Sequence, residues 1–259
     1  GLDPTASASA AIDRVVYANI MEGLVKVDRN GKFVPGLATQ WNVSPDGKVY
    51  TFQLRQGVKF HNGESFNAQV AKWNLERGAA ADTKNAHPEF FRVIEKIETP
   101  DSQILKVTLK DVDALFIVHM AEGDAVMLPM KGYENMAAAP IGTGPFKFAK
   151  WTRGDSVEMV RNEKYWNPAL PYLDKVTFRF IKDPSAQVSA LKAGDVDLIG
   201  WLFAPELAND IAKDKRFKVL SGASTSEVIM STNNKAKPFD NKLVRQAIAH
   251  AIDRQTVID

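Results

Sequence analysis

Two hydrophobic rhythms divide this chain near Pro140, and that division constrains the fold more than any other feature. Ahead of it, short alternating stretches are separated by turn signals. Residues 49–54 place Tyr50, Phe52 and Leu54 on one face, the period of two expected of a half-buried strand. Pro45-Asp46-Gly47 precedes that stretch and Asn62-Gly63 follows it, both turn signals. Residues 104–109 read as another strand. Between the two, Asn67 is placed to cap a short helix carrying Val70, Ala71, Trp73 and Leu75, with Gly78 closing it and an exposed, alanine-rich loop to Pro88. At the amino end Ile12, Val15, Val16, Ile20 and Leu24 recur at helical spacing, which predicts a helix over residues 10–24 before an extended stretch at 25–27.

Beyond Pro140 the pattern becomes strand, helix, strand. Residues 176–181 are β-branched and aromatic. Asp183-Pro184-Ser185 opens a helix through Ala193 that Gly194 ends. Residues 196–199 and 217–220 read as strands around a helix over 205–213, and 228–231 as one more. That spacing predicts parallel strands joined by crossovers, and hence an α/β chain. Leu243, Val244, Ala247, Ile248, Ala251 and Ile252 form an apolar stripe on a last helix, started by Asp240 and still in stride at Asp259. An amphipathic helix without a C-cap leads to the expectation that the natural chain continues.

Composition excludes several classes. At 259 residues the chain can bury roughly 70–75% of its unfolded surface without covalent staples. Lys+Arg 33 against Asp+Glu 31 leaves a net charge of +2, and no Lys/Arg block stands out, so there is no nucleic-acid footprint. Cysteine is absent, which removes disulfides, zinc-thiolate sites and thiol catalysis. No apolar run reaches the roughly 18 residues of a membrane span; residues 114–120 are followed by Glu122 and Asp124. No secretory leader is visible, since Asp3 and Pro4 come at once.

Sites for chemistry are sparse. His61, His87, His119 and His250 are scattered, with no metal-pair spacing, and read as isolated imidazoles. Gly142-Thr143-Gly144-Pro145 superficially suggests a phosphate loop. Pro145 removes a donor that a cradle needs, so a structural turn is the better reading. No nucleophile elbow occurs, and no base–nucleophile pair is offered, so neither an enzyme nor a cofactor or metal site is expected. Trp201 and Phe203 follow the strand expected at 196–199, at the edge where open α/β sheets bind ligands. Either they line a small-molecule cleft or they cover the sheet, and both readings stand. Thr225, Ser226 and the polar run 231–234 suit either hydrogen bonding to a ligand or an exposed turn.

The order of motifs resembles the extracytoplasmic solute-binding proteins of ABC importers, family 5, the dipeptide, oligopeptide and nickel type. The resemblance rests on Leu2-Asp3-Pro4, Glu22-Gly23-Leu24-Val25, Pro35-Gly36-Leu37-Ala38 with Trp41, and the block from Ser44-Pro45-Asp46-Gly47 to Phe66-Asn67-Ala68. It continues through Gly142-Thr143-Gly144-Pro145-Phe146, Arg161-Asn162 with Tyr165-Trp166, Ala193-Gly194-Asp195-Val196-Asp197, and Val244-Arg245-Gln246-Ala247-Ile248. One departure is Val70, where the family usually carries an acidic residue.

The resemblance implies a periplasmic-binding-protein-like α/β lobe, residues 1–32 with 141–259, and an inserted strand-rich α+β domain at 33–140. Family members run to about 500 residues, so it further implies that the second main lobe lies outside this chain. The implied function is a non-catalytic receptor that traps a small solute between lobes and delivers it to a membrane permease. Peptide is the leading ligand, with a nickel chelate, an opine or a sugar as alternatives; an interaction fragment is the alternative of another class, and a peptide hydrolase comes last. The expected location is periplasmic or lipoprotein-anchored, with self-association through an exposed apolar face. By position, Tyr17, Trp201, Phe203, Ser226 and Met230 are the ligand-binding candidates.

Overall fold

The computed structural model describes residues 1–7, 9–222, 229–253 and 256. It is a mixed α/β structure that divides into two compact units, Gly1–Gly200 and Trp201–Asp259.

The first unit opens with a 3-10 turn, Pro4–Ala6, capped by the Asp3 side chain, and helix α1, Ala10–Val16. This helix is seven residues long, half the span that the apolar periodicity predicts. Tyr17 turns extended and Ala18 adopts a left-handed φ of 60°, which no helix accommodates. The Asn19 amide then donates to the Val15 carbonyl at 3.0 Å, satisfying a group the helix end leaves open. Ile20 and Leu24 are buried all the same, delivered by irregular backbone instead of by a helical face.

Strands β1, Val25–Val27, and β2, Phe33–Pro35, pair antiparallel. Next come β3, Ala38–Val43, and β4, Val49–Leu54. The turn between them has Gly47 at φ 73°, a conformation that favours glycine. Its amide donates to the Ser44 carbonyl at 2.8 Å. Helix α2, Ala68–Ala79, starts where the sequence places it: the Asn67 side chain accepts from the amides of Gln69 and Val70. Gly78 does not close that helix. It lies within the last turn, buried against the ring of the next short helix, α3, Glu89–Arg92. Strands β5, Ile94–Glu98, and β6, Ile104–Leu109, complete an antiparallel sheet of order β3-β4-β6-β5. Tyr50 pairs with Val107 and Phe52 with Leu105, so the alternation read in β4 meets a matching one in β6. All four side chains are buried, with Leu75 of α2 and Phe91 of α3 in the same core.

After the short helix α4, Phe116–His119, the chain reaches β7, Phe146–Thr152, β8, Ser156–Arg161, and β9, Lys175–Arg179. These form a second antiparallel sheet. Val157 and Met159 of β8 pack with Leu2, Val16, Ile20 and Met21 in a second core. The expectation of parallel strands is overturned here: β9 takes β8 as an antiparallel neighbour, Val176 opposite Met159. Helix α5, Pro184–Ala193, does form as read, capped by Asp183 and ended by Gly194 at φ 82°. Residues 196–199 belong to no strand. A strand exists only where a neighbour shares its ladder, and none among the described residues does so there.

The second unit carries α6, Pro205–Ala212, and α7, Lys242–Ala251. Residues 217–220 and 229–231 are not strands; Val228 lies outside the described residues. Asn241, not Asp240, caps α7 by accepting from the Leu243 amide. Nor does α7 run on unbroken to the chain end, because Ile252 leaves the helix with ψ 115°. None of its residues is buried, and Leu243 is 71% exposed.

Candidate functional site

Of the five residues singled out by position, Trp201 and Phe203 are brought together. Their rings lie 5.4 Å apart at 48°, within the aromatic contact range. Phe203 is 78% exposed, so the pair presents apolar ring faces to solvent instead of covering a sheet. Met230 is also exposed, and Ser226 lies outside the described residues. Chemically, an exposed ring pair can stack on or enclose part of an organic solute; it offers no group that moves a proton.

Tyr17 belongs to the first unit, and its hydroxyl is committed. It donates to the Ala121 carbonyl at 2.7 Å, tying the end of α1 to the turn after α4. Burial pushes this hydroxyl up to about 12, with Glu22, Asp13 and Glu122 adding to the effect. It therefore stays protonated and donates.

Around that bond sits an acid group that the sequence reading passed over. Asp13 is one helical turn before Tyr17, and its Oδ1 has no hydrogen-bond partner among the described residues. It is pressed against Gly123, where a Cβ would fall 2.3 Å away. Burial, then the charge of Glu122, raises the Asp13 carboxyl. Asp124 is pushed up to about 6, chiefly by burial, with His87 opposing and Asp13 adding. The i, i+4 spacing of Asp13 and Tyr17 was the one available signal. In the sequence Glu122 and Asp124 stand out only as the end of an apolar run.

The histidines are less isolated than their spacing suggests. His87 and His119 both stack on Phe90, with ring centroids 4.8 and 3.6 Å from its own. No group of three or more metal-ligating side chains occurs among the described residues. His61 is built into the frame: its Nε2 lies 2.9 Å from the Gly144 carbonyl and its Nδ1 faces the Gly142 amide. Burial pushes it down to about 4, so it is neutral.

The glycine turn at 142–144 is structural. A Cβ on Gly142 would sit 2.0 Å from the Ile20 carbonyl oxygen, and one on Gly144 2.4 Å from that of Asn19. The backbones touch there: the Gly144 amide donates to Ile20 and the Phe146 amide to Asn19, each at 2.9 Å. No phosphate cradle remains, because this turn faces another stretch of the chain.

Behind it lies Glu22, wholly buried. Its Oε1 accepts from Lys26 Nζ at 2.6 Å and the Tyr165 hydroxyl at 2.9 Å. Its Oε2 accepts from Thr143 Oγ1 at 3.0 Å and Trp166 Nε1 at 2.9 Å. Four donors on one carboxylate satisfy a buried charge that would otherwise be costly.

Residues 32–259 match the family model described as bacterial extracellular solute-binding proteins, family 5 middle. The chain belongs to that family. Among its relatives, the glutathione-binding protein GsiB of Pectobacterium atrosepticum is 32% identical over 99% of this chain and 50% of its own length. Among solved structures, AgaA of A. tumefaciens R10, in complex with agropinic acid, is 35% identical with a TM-score of 0.84, covering 98% of this chain and 52% of that one. NikZ of Campylobacter jejuni, in complex with Ni(L-His), gives 28% and 0.86, covering 99% and 52%. The chain thus spans about half the length of the family 5 relatives it matches. Those relatives are named as binding proteins and not as enzymes.

Proposed function

We propose that this chain is the solute-capturing part of an extracytoplasmic receptor that feeds an ABC importer, and that its solute is a small peptide of the glutathione type. The observation that carries the reading is the relationship to GsiB along nearly the whole chain. The exposed Trp201–Phe203 pair supports an organic solute over a bare metal ion. In this reading the solute is held between this chain and the further length that the relatives possess. Tyr17, Ser226 and Met230 are retained as candidate contacts in addition to the two rings, Tyr17 through its ring because its hydroxyl is committed to Ala121. The receptor does no chemistry, works outside the cytoplasmic membrane, and meets its permease when closed around solute. The lobe division, residues 1–32 with 141–259 and an insert at 33–140, is kept as part of this reading, although each of the two cores of the first unit draws residues from both parts.

A second reading has its own support: the 35% identity to AgaA favours an opine such as agropinic acid. Titration calorimetry on the full-length natural gene product decides between them. Glutathione, dialanine, agropinic acid and Ni(L-His) are tested in turn. Glutathione or dialanine is expected to bind with Kd at or below about 1 μM, and Trp201→Ala to weaken it about tenfold or more. Tight binding of agropinic acid alone selects the opine reading. Binding of none of the four overturns the peptide assignment.

A further inference from the structure

A cavity of about 310 Å3 opens in the first unit between the Pro4–Ala6 turn, the end of α2, and the segments at 82–84 and 133–134. Four ionisable side chains of both signs line it: Arg77, Lys84, Asp82 and Glu134. Opposite charges sharing so small a space would normally pair. Here, among the described residues, none of the four forms an ion pair with any group.

Arg77 is the most telling member. It sits on the last turn of α2 and is half-buried, whereas Asp82, Lys84 and Glu134 are exposed at the rim. Its Nε is buried without a hydrogen-bond partner. Burial lowers its affinity for the proton, and Asp3 and Tyr133 offset this only from a distance. Asp3 itself is engaged, accepting from the Thr5 amide and hydroxyl at 2.9 and 2.8 Å. What holds the guanidinium is aromatic: it lies 5.7 Å from the Trp73 ring centre, and Trp73 packs edge-on to Tyr133. A half-buried guanidinium that lines a cavity and forms no ion pair is a receptor for a carboxylate, which its planar group can grip with two parallel bonds. The rim carboxylates disfavour a simple anion but complement an ammonium group.

We propose that this cavity is a second binding site, remote in residues from the aromatic pair, for a zwitterion of amino-acid size. Its carboxylate docks on Arg77 and its ammonium faces Asp82 and Glu134. The inference does not depend on the solute reading above, because it uses none of the same residues.

The test is an NMR titration of the 15N-labelled 259-residue chain with L-alanine, acetate and methylamine. L-Alanine is expected to give saturable shifts at the amides of residues 82–84 and 133–134 by about 10 mM, with acetate and methylamine each at least about tenfold weaker. Arg77→Gln should abolish the shifts, and Arg77→Lys should weaken them because an ammonium lacks the planar fork. If Arg77→Gln fails to fold, the exposed double variant Asp82→Asn/Glu134→Gln decides, with an expected loss of about fivefold or more for L-alanine. No saturable shift at these amides, acetate binding as tightly as L-alanine, or binding unchanged in the variants each overturns the proposal.

Discussion

The ring of Phe91 occupies the space that a side chain at residue 78 would need. A Cβ on Gly78 would lie 2.7 Å from the Phe91 Cγ, closer than real Cβ contacts come. Helix propensity alone says that alanine at this position should stabilise α2 by about 1 kcal/mol. Close packing says the reverse, because α3 would have to move off α2. Gly78→Ala is therefore expected to destabilise the first unit by about 1–3 kcal/mol. A rise in the urea midpoint would show that α3 yields more easily than this contact implies.

Glu22 gathers donors from Lys26, Thr143, Tyr165 and Trp166 onto one buried carboxylate. Removing it leaves all four donors without their shared acceptor. Glu22→Ala should cost about 3–5 kcal/mol, and Glu22→Gln less, since its carbonyl still accepts while its amide opposes a donor. Urea unfolding at neutral pH measures both. Equal losses in the two variants would mean that packing, not the donor set, dominates.

His61 is held neutral by burial, its protonation pushed down to about 4 from an ordinary value near 6.5. The unfolded chain therefore takes up a proton first as pH falls. The contribution of His61 to stability is complete above about pH 6.5 and is lost towards pH 4, about 1–3 kcal/mol in all. In His61→Gln that part of the pH dependence should disappear. The difference in unfolding free energy between the two proteins, followed from pH 7 to 4, reads it directly; a constant difference contradicts the assignment.

Asp124 has the opposite sign. Its carboxyl is pushed up to about 6, so the folded state holds the proton more tightly than the unfolded chain does. The ionised form costs stability that is absent below about pH 4 and complete above about pH 6. Asp124→Asn should raise stability at pH 7.5 by about 1 kcal/mol after allowing for solvent screening. That gain should shrink as the pH is lowered to 4. A gain that persists unchanged at pH 4 would point to a cause other than charge.

What could be read in the sequence is what one stretch of chain determines about itself. The alternation of Tyr50, Phe52 and Leu54, the Asn67 cap and the Asp183 and Gly194 helix ends all appear where local rules put them. Failures came where a distant partner decides. Ile20 and Leu24 kept a helical period although Ala18 had already turned the backbone, and Gly78 looked like a cap because Phe91 is thirteen residues away. The stretch 176–181 reads as a strand and forms one as far as Arg179, but its direction in the sheet depends on β8, which no local pattern names. At the candidate site, proximity in sequence found Trp201 with Phe203. The acid group around Tyr17 joins α1 to a turn more than a hundred residues later, beyond the reach of spacing rules.

The carboxylate of Glu22 also sets a clock on biosynthesis. Trp166, which donates to it, lies 144 residues further along the chain. At a synthesis rate of roughly 5–20 residues per second, Glu22 waits about 7–30 s after its own emergence before its last donor exists. During that interval Glu22 cannot be buried with its full set of donors. The amino-terminal segment must then stay hydrated or be shielded by other proteins while the adjoining sheet of β3 to β6, complete by residue 109, is free to form first.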